Sequence, residues 1–314
     1  MVELNGKKIL VTFLMHLGDL TLTTPFIHAL RKAAPDARIT MLVDEKLKDV
    51  VLFNPYLDEV VTIDKKGRDN SILSLWACSR HLSKLDFDVL INLHPNERCS
   101  FIDAMTSVKL RTGTTHKIFK WFWDVFTPLD RSMHAADMYL DVLQQLGVQD
   151  LSNNGLEIFP GEEHFLEAEL FWQEQNITDQ DKLIGFNIGS AVPTKRWPPE
   201  RFAEVADIFA AKGYKTVFFG GPMDEEMVAE ATGYMQTRPI IATGHFAIGG
   251  LAAAMRRCCL IITNDSGPMH VAISQKVPIV AMYGPSNPKL YGPYTKDAVI
   301  VTAQPPCQGC ADGM

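Results

Sequence analysis

Short, unbroken apolar runs alternate with longer stretches of helical periodicity along most of this chain, and this alternation restricts the fold more than any other feature. Lys8–Met15 (KILVTFLM) is such a run, as expected of a strand buried on both faces of a parallel sheet. A helix is predicted from about Leu20 to Ala34, where Pro35 ends it. Further strands are predicted at Arg38–Val43, Glu59–Ile63 and Val89–Leu93. Strands separated by helices favour crossover connections and a parallel sheet, so the sequence predicts an α/β fold.

The pattern stops and then restarts. His134–Leu146 is predicted to be helical with Gly147 as its C-cap, and Asp150–His164 is rich in Asn, Gly, Pro and acidic residues. The elements predicted after it are strand Leu183–Ile188, helix Pro199–Ala211, strand Thr216–Phe219, helix Asp224–Tyr234, strand Ile240–Ala242, helix Gly249–Arg257, strand Leu260–Thr263, helix Pro268–Ser274 and strand Ile279–Tyr283. Because 314 residues exceed the size at which one core usually keeps growing, we predict two doubly wound domains, residues 1–155 and 156–314.

Composition and charge limit the class of protein and the cellular compartment that we expect. A net charge of −7 disfavours a general nucleic-acid-binding protein, which would need a basic field. The six cysteines are too few and too scattered for a disulfide scaffold. The first fifteen residues lack a small-residue cleavage site, and no stretch approaches the roughly 20 apolar residues needed to span a bilayer. We therefore expect a soluble cytoplasmic protein that could touch a membrane surface.

The most informative motif is the segment LIITNDSGPMHVA, Leu260–Ala272. A buried strand ends there in a polar turn, and Pro268 stands where a helix accepts proline in its first turn, which places Ser266 or Gly267 near the N-cap. The N–H groups from Gly267 onward, together with the helix dipole, would make an anion site. The competing interpretation is an ordinary capped turn.

Two other turns of the second half follow strands. In NIGSAVPTKRW, Asn187–Trp197, Ser190 lies in a flexible turn and Lys195 is placed to neutralise a diphosphate, although an exposed lysine is more often only solvated. Gly220-Gly221-Pro222 leads into Asp224 and Glu225. An acid at this position could accept a ribose hydroxyl, or it could simply complement a helix dipole.

In the first half, HLGD (His16–Asp19) follows the first strand, and Asp19 is either a general base or the N-cap of the next helix. Cations follow the third and fourth strands. They are Lys65, Lys66, Arg68 and Arg98. On an acidic protein they suggest an anionic acceptor, and a solvated loop is the alternative.

Three patterns weigh less. Asp86-Phe87-Asp88 spells the D-x-D that many sugar transferases use to hold a metal, but it precedes a strand, so we interpret it as a turn at the amino edge of the sheet. Cys307 and Cys310 have metal or redox spacing without a second pair and stay unassigned. No G-x-G-x-x-G follows a strand, which disfavours a Rossmann dehydrogenase.

Taken in order, several segments resemble the family-nine glycosyltransferases, the ADP-heptose–lipopolysaccharide heptosyltransferases and their relatives. The segments are HLGDLTLTTPFIHALRKAAPDARITMLV, HAADMYLDVLQQLG, GSAVPTKRWPPERFAEVA and NDSGPMHVA followed by VPIVAMYGPSNP. The resemblance covers nearly the whole chain, and NDSGPMH is its most specific part. Family members usually continue beyond a Cys-rich segment like PPCQGC into a closing helix, whereas this sequence ends at Met314.

The resemblance implies a GT-B fold, in which an acceptor-binding domain (1–155) and a donor-binding domain (156–314), both Rossmann-like, face a cleft. It also implies inverting transfer of a heptose from ADP-heptose to the lipopolysaccharide inner core at the inner face of the cytoplasmic membrane, without metal or cofactor. Asp19 matches the proposed general base. The residues matched to donor binding are Ser190, Lys195, Asp265, Ser266, Gly267 and His270, with Asp224 or Glu225 as the ribose contact. Lys65, Lys66, Arg68 and Arg98 resemble the basic acceptor loops only in character.

Two alternatives stay open. The chain could be a GT-B enzyme that uses another nucleotide sugar, including a nucleotide-sugar epimerase. It could also be a two-domain protein that closes on a small anion without chemistry, although the carboxylate at Asp19 speaks against this.

Overall fold

The computed structural model describes residues 2–302 and divides the chain into two compact units, residues 1–154 and 155–314. The predicted segment Cys307–Cys310 lies outside the described residues.

The first unit contains a parallel sheet with the strand order β3-β2-β1-β4-β5-β6. Its strands are β1 (Lys8–Thr12), β2 (Arg38–Asp44), β3 (Glu59–Ile63), β4 (Phe87–Asn92), β5 (Val108–Gly113) and β6 (Val125–Phe126). Its helices are α1 (Leu17–Thr21), α2 (Thr24–Ala33), α3 (Ile72–Ser83), α4 (Glu97–Met105) and α5 (Ala135–Gln145), with 3₁₀ turns at Glu45–Val50 and Lys117–Phe122. The sheet is doubly wound, and its strand order reverses between β1 and β4.

The second unit repeats this topology in the order β12-β11-β10-β7-β8-β9. Its strands are β7 (Leu183–Asn187), β8 (Lys215–Phe219), β9 (Ile240–Ile241), β10 (Cys258–Asn264), β11 (Ile279–Tyr283) and β12 (Ala298–Thr302). Its helices are α6 (Glu162–Glu174), α7 (Pro199–Ala211), α8 (Glu225–Tyr234), α9 (Ile248–Met255), α10 (Gly267–Ser274) and α11 (Pro288–Tyr291), with 3₁₀ turns at Pro193–Lys195 and Pro222–Asp224. The order reverses between β7 and β10, where ligands of open α/β sheets bind.

The central strands are apolar because helices cover both faces of each sheet. Ile9, Leu10 and Val11 of β1 are fully buried, and the rings of Phe186 and Phe218 stack on neighbouring strands of the second sheet at 5.1 Å. The structure confirms the predicted α/β fold of two doubly wound parallel sheets.

Several predicted boundaries are wrong. The predicted helix Leu20–Ala34 is two helices, because the chain breaks at Leu22 and Thr23 and restarts ahead of Pro25, whose missing N–H is tolerated only in a first turn. Strand β1 ends at Thr12 instead of Met15.

Three strands escaped prediction, namely β5, β6 and β12. Strand β5 carries Lys109 and Arg111, which interrupt its apolar pattern, and β6 has only two residues. Strand β12 lies at a sheet edge and follows a helix of four residues, too short to show helical periodicity. Among residues 2–302, no helix combines the length and the apolar character that crossing a bilayer requires.

Candidate active site

Two asparagines hold the polar turns of the second unit together at its switch point. Asn187, the last residue of β7, donates from Nδ2 to Oγ1 of Thr263 at 3.1 Å and to Oγ of Ser266 at 2.9 Å. Asn264, the last residue of β10, donates from Nδ2 to the carbonyl of Ile188 at 2.7 Å, and its Oδ1 accepts from the backbone N–H of Trp197 at 2.9 Å. The turns that follow β7 and β10 therefore form one structure.

The helix that follows β10 begins as the sequence predicts. Ser266 is its N-cap in extended conformation, Gly267 is its first residue, and Pro268 stands in the first turn. The Ser266 side chain makes no capping hydrogen bond to the helix, and its hydroxyl accepts from Asn187 instead. The helix N-terminus is therefore available to an anion in the way that helix dipoles favour. His270 lies in the first turn of the same helix and is buried.

Lys195 ends the 3₁₀ turn after β7, and its Nζ lies 2.8 Å from Oδ2 of Asp265. The Asp265 side chain is buried, with 7% exposure, whereas 24% of the lysine side chain is exposed. The hydroxyl of Ser190 lies 3.3 Å from the carbonyl of Asp265, and Nε of Arg196 donates to the carbonyl of Ser190 at 2.8 Å. Asp265 thus fixes the lysine at the turn, while the lysine still reaches solvent.

The hydroxyl of the buried Tyr283 is close enough to Asp265 for its pKa to respond to the carboxylate. Burial raises the pKa of its hydroxyl far above the usual value, and the nearby Asp265 carboxylate raises it further.

Of the two acids predicted to contact a ribose, only Asp224 faces the turn after β7. Its carboxylate occupies the space beside Gly189 and Gly220, where a Cβ on either residue would overlap with it, and Oδ2 accepts from the N–H of Gly221 at 2.9 Å. Glu225 lies instead against Gly244 in the loop after β9. The glycines are needed here because the carboxylate fills the place of their side chains.

In the first unit, Asp19 lies in the loop and helix that follow β1, at the carboxyl edge of the sheet. The helix begins at Leu17 with His16 as N-cap, so the alternative that Asp19 is the N-cap is wrong. Asp19 is half-buried in the first turn of α1, where a carboxylate also complements the helix dipole.

The four predicted acceptor cations have different surroundings. Lys65 is buried, and its ammonium donates to the carbonyls of Leu14 at 3.0 Å and Met15 at 2.8 Å and pairs with Oδ2 of Asp44 at 3.2 Å. Lys65 therefore ties the loop that leads to Asp19 onto the end of β2, a contact that differs from the predicted meeting with an anionic acceptor.

Arg98 is committed in a similar way. Its guanidinium donates to the carbonyl of Lys65 and to Oδ1 of Asn70, the latter at 2.7 Å. Arg68 is exposed and pairs with Glu45 at 2.9 Å. Lys66 is exposed beside it. Of the four, Lys66 and Arg68 have the side chains that solvent reaches most readily.

A half-buried histidine at the same edge was not predicted. His94 follows β4, and its pKa is lowered to about 4, first by burial and then by the charges of Arg131 and His16. At neutral pH this imidazole is uncharged and offers a donor and an acceptor. A polar residue shortly after a buried strand was the available signal, since His94 follows β4 as His16 follows β1.

Also missed was Asp103, a fully buried carboxyl on α4. Its Oδ2 accepts from Oγ1 of Thr12 at 2.8 Å and from Nδ2 of Asn92 at 2.5 Å, so it joins the ends of the two central strands. Burial raises its pKa to about 7, against the lowering effect of these hydrogen bonds. A single Asp on a helix of mixed polarity gives no sequence signal of its partners.

The structure places Asp86-Phe87-Asp88 at the amino edge of the sheet, as predicted, but β4 begins at Phe87, so Phe87 and Asp88 belong to the strand and not to a turn. Asp88 lies at the amino end of β4, where its carboxylate accepts from the N–H of Lys8 at 2.9 Å and from Nζ of Lys109 at 2.7 Å. Among residues 2–302, no three His, Cys, Asp or Glu side chains are grouped as metal ligands.

Comparison with known proteins adds the family. The sequence profile of glycosyltransferase family 9 (heptosyltransferase) matches residues 75–313. The crystal structure of a family-9 glycosyl transferase from Veillonella parvula DSM 2008 is 57% identical, covers 96% of this chain and 87% of its own, and superposes with a TM-score of 0.93. Lipopolysaccharide heptosyltransferase 3 of Escherichia coli K12 is 24% identical over 90% of this chain and 84% of its own length. The structure of E. coli ADP-heptose lipopolysaccharide heptosyltransferase II is 22% identical, covers 94% and 90% of the two chains and has a TM-score of 0.78.

Two doubly wound units with these relatives define a glycosyltransferase of the GT-B class. More narrowly, the chain belongs to glycosyltransferase family 9, the heptosyltransferases.

Proposed function

We propose that this enzyme transfers a heptose from ADP-heptose to an inner-core sugar of lipopolysaccharide, with inversion at the anomeric carbon. The observation that carries the proposal is the assembly of Lys195, Asp265 and the N-terminus of α10 at the switch point of the second sheet. An ammonium and a helix N-terminus together suit a pyrophosphate. The names of the relatives supply the sugar, the nucleotide and the acceptor.

The donor would be held by three kinds of contact. Lys195 would meet the pyrophosphate and Asp265 would orient the lysine, because a carboxylate cannot itself favour a phosphate. The N–H groups at Gly267 and the hydroxyl of Ser190 would complete the phosphate contacts. Asp224 would accept a ribose hydroxyl, as acids do in other nucleotide-binding sheets. His270 would support the turn from within α10.

Asp19 would act as the general base. Its carboxylate takes the proton of an acceptor hydroxyl, and the oxygen attacks the anomeric carbon from the face opposite the nucleotide. The bond from that carbon to the phosphate oxygen breaks, and ADP leaves with the electron pair. Lys195 and the helix N-terminus stabilise the charge that develops on the leaving diphosphate, so the proposal requires no metal.

Exposed cations at the carboxyl edge of the first sheet would bind the acidic acceptor. Lys66 and Arg68 are the candidates, because their side chains reach solvent. We also propose that the enzyme works at the inner face of the cytoplasmic membrane, where such an acceptor would be anchored, as a peripheral protein and without nucleic acid.

The test is a transfer assay with ADP-, UDP- and GDP-sugars, paired with calorimetric titration of the three nucleotides. We expect transfer from ADP-heptose and tightest binding of ADP. Lys195→Gln should weaken ADP binding by at least about tenfold, since a charge-assisted hydrogen bond contributes roughly 1.5–3 kcal/mol. Lys212→Gln is the matched control, because Lys212 is an exposed lysine at the end of α7.

Two outcomes would contradict the proposal. Preferred binding and transfer with UDP or GDP would make the enzyme a user of another nucleotide sugar. Equal ADP affinity in the Lys195 and Lys212 variants would remove Lys195 from the phosphate site.

A further inference from the structure

One short segment of the first unit exposes more apolar surface than its surroundings explain. The 3₁₀ turn Lys117–Phe122 (KIFKWF) follows β5 and presents Ile118, Trp121 and Phe122 with 60%, 95% and 45% exposure. Trp121 is the most exposed large apolar side chain among residues 2–302. We call the five residues Lys117, Ile118, Lys120, Trp121 and Phe122 the Trp121 surface.

The residues around this surface are firmly packed. The ring of Phe119 packs edge-on against Phe101 of α4 at 6.3 Å, and the N–H of His116 donates to Oγ of Ser100 at 2.9 Å. Trp123 is buried, and its indole N–H donates to the carbonyl of Thr112 at 3.0 Å. Packing and hydrogen bonds thus anchor the neighbours of Trp121, whereas the Trp121 side chain itself lies in solvent.

The charge of the surface is opposite to that of the protein. Lys117 and Lys120 are exposed, and Nζ of Lys120 lies 4.6 Å from the ring centre of Phe126. Residues 109–131 contain five Lys and Arg side chains against two Asp, whereas the whole chain carries −7. An aromatic, basic patch on an acidic protein fits an anionic partner.

A second group of exposed apolar side chains lies on α3, which also packs against α4. Ile72, Leu73 and Trp76 are 66%, 74% and 52% exposed, and the Arg80 guanidinium lies 5.9 Å from the Trp76 ring centre. The combination of tryptophan, aliphatic residue and cation thus occurs twice in the helical layer that contains α4.

We propose that the Trp121 surface docks the enzyme onto a bilayer of anionic phospholipid. Tryptophan and lysine are the side chains that bind the headgroup region, the first through its amphipathic ring and the second through attraction to anionic lipid. Apolar area and basic charge together set the strength of such interfacial binding.

The position of the Trp121 surface relates membrane docking to the proposed reaction. The segment follows β5 at the carboxyl edge of the first sheet, the edge that also carries Asp19 after β1. Docking there would bring the loops that bind the acceptor to the membrane in which the acceptor is anchored. This use depends on the proposed function, whereas lipid binding itself does not.

The test is co-sedimentation of the full chain with vesicles of phosphatidylglycerol and phosphatidylethanolamine, compared with vesicles of phosphatidylcholine alone. We expect binding to the anionic vesicles that weakens in high salt. Trp121→Ser should lower the partition coefficient by about tenfold or more, as expected for a large side chain withdrawn from an apolar environment. The double variant Lys117→Gln/Lys120→Gln should lower it by about 30-fold at low salt.

Matched controls lie in the second unit, where Tyr234 is 53% exposed and Lys212 is an exposed lysine. Tyr234→Ser and Lys212→Gln should bind vesicles as the wild type does. Since Trp121 is in solvent, its variant should also keep the wild-type melting temperature and the wild-type rate of ADP-heptose hydrolysis in vesicle-free buffer. If the wild type itself did not hydrolyse ADP-heptose, this result would count against the proposed function and not against the docking.

Three results would overturn the inference. The wild type could fail to sediment with anionic vesicles, or the Trp121 and lysine variants could sediment as the controls do. Light scattering could also show a wild-type dimer that Trp121→Ser dissociates, which would make the surface an interface between copies of this chain.

Discussion

Removing the ammonium of Lys65 should destabilise the first unit more than removing any exposed lysine. Lys65→Met keeps the length and apolar stem of the side chain, but it removes the ammonium that pairs with the Asp44 carboxylate and donates to the carbonyls of Leu14 and Met15. The two side chains of the ion pair are only 10% and 7% exposed. Deleting one partner of a buried pair costs about 3–5 kcal/mol, because the other charge stays buried and uncompensated.

Hydrogen exchange measured by mass spectrometry suits this prediction because it reports each unit separately. Amides of β1 and β2 in Lys65→Met should exchange at least about 100-fold faster, which corresponds to about 3 kcal/mol at 1.36 kcal/mol per factor of ten. Amides of the second unit should be unchanged. Lys66→Met is the matched control, since this exposed neighbour should alter stability by no more than about 0.5 kcal/mol.

The same variant tests whether the tether supports catalysis. Because Lys65 holds the loop that leads into α1, its loss should lower kcat more than it raises KM for the acceptor. Equal exchange rates in the Lys65 and Lys66 variants would refute the tether. A raised acceptor KM with wild-type exchange rates would instead restore the original prediction that Lys65 contacts the acceptor.

Two other predictions follow from groups at the sheet edges. Asp103 has a folded pKa of about 7, above its unfolded value of about 3.9, so the stability that its neutral form supplies is present at low pH and lost as pH rises through 7. Asp103→Asn should remove that loss, which is about 4 kcal/mol in full and roughly 2.6 kcal/mol between pH 5 and 8. Urea titrations at these two pH values should therefore show a flatter pH dependence, and an unchanged slope would contradict the buried ionisation. Gly189→Ala should displace the Asp224 carboxylate and weaken ADP binding by about tenfold, whereas Gly233→Ala, with open space around its Cα, should not. Equal ADP affinity in the two glycine variants would separate Asp224 from the nucleotide.

The fold was predictable where a strand is buried on both faces of a sheet, because such a strand appears in the sequence as a continuous apolar run. Strands β3 and β11 have the predicted bounds because each is a compact β-branched or apolar run between turns. Strand β5 was missed because its alternating Lys109 and Arg111 face partly outward. The break between α1 and α2 was missed because apolar periodicity continues across it.

The polar turn after β10 was predictable, and much of the polar edge of the first sheet was not. The polar turn after a buried strand marked Asp265, Ser266 and Gly267 as a possible anion site, although an ordinary capped turn gives the same local pattern. That this turn lies beside the turn of Lys195 depends on the pairing of β10 with β7, which are not consecutive strands. The pairing of Lys65 with Asp44 depends on two strand ends that are adjacent in the sheet but 21 residues apart in sequence. Such a contact follows from topology, which the local pattern does not specify.

The measurement that tests the account most directly is the turnover of Asp19→Asn, taken together with its affinity for ADP. A positioned base contributes about 100- to 10,000-fold, so kcat should fall by at least about 100-fold while ADP binds as it does to the wild type. Near-normal turnover in this variant would contradict the assignment of Asp19 as the base.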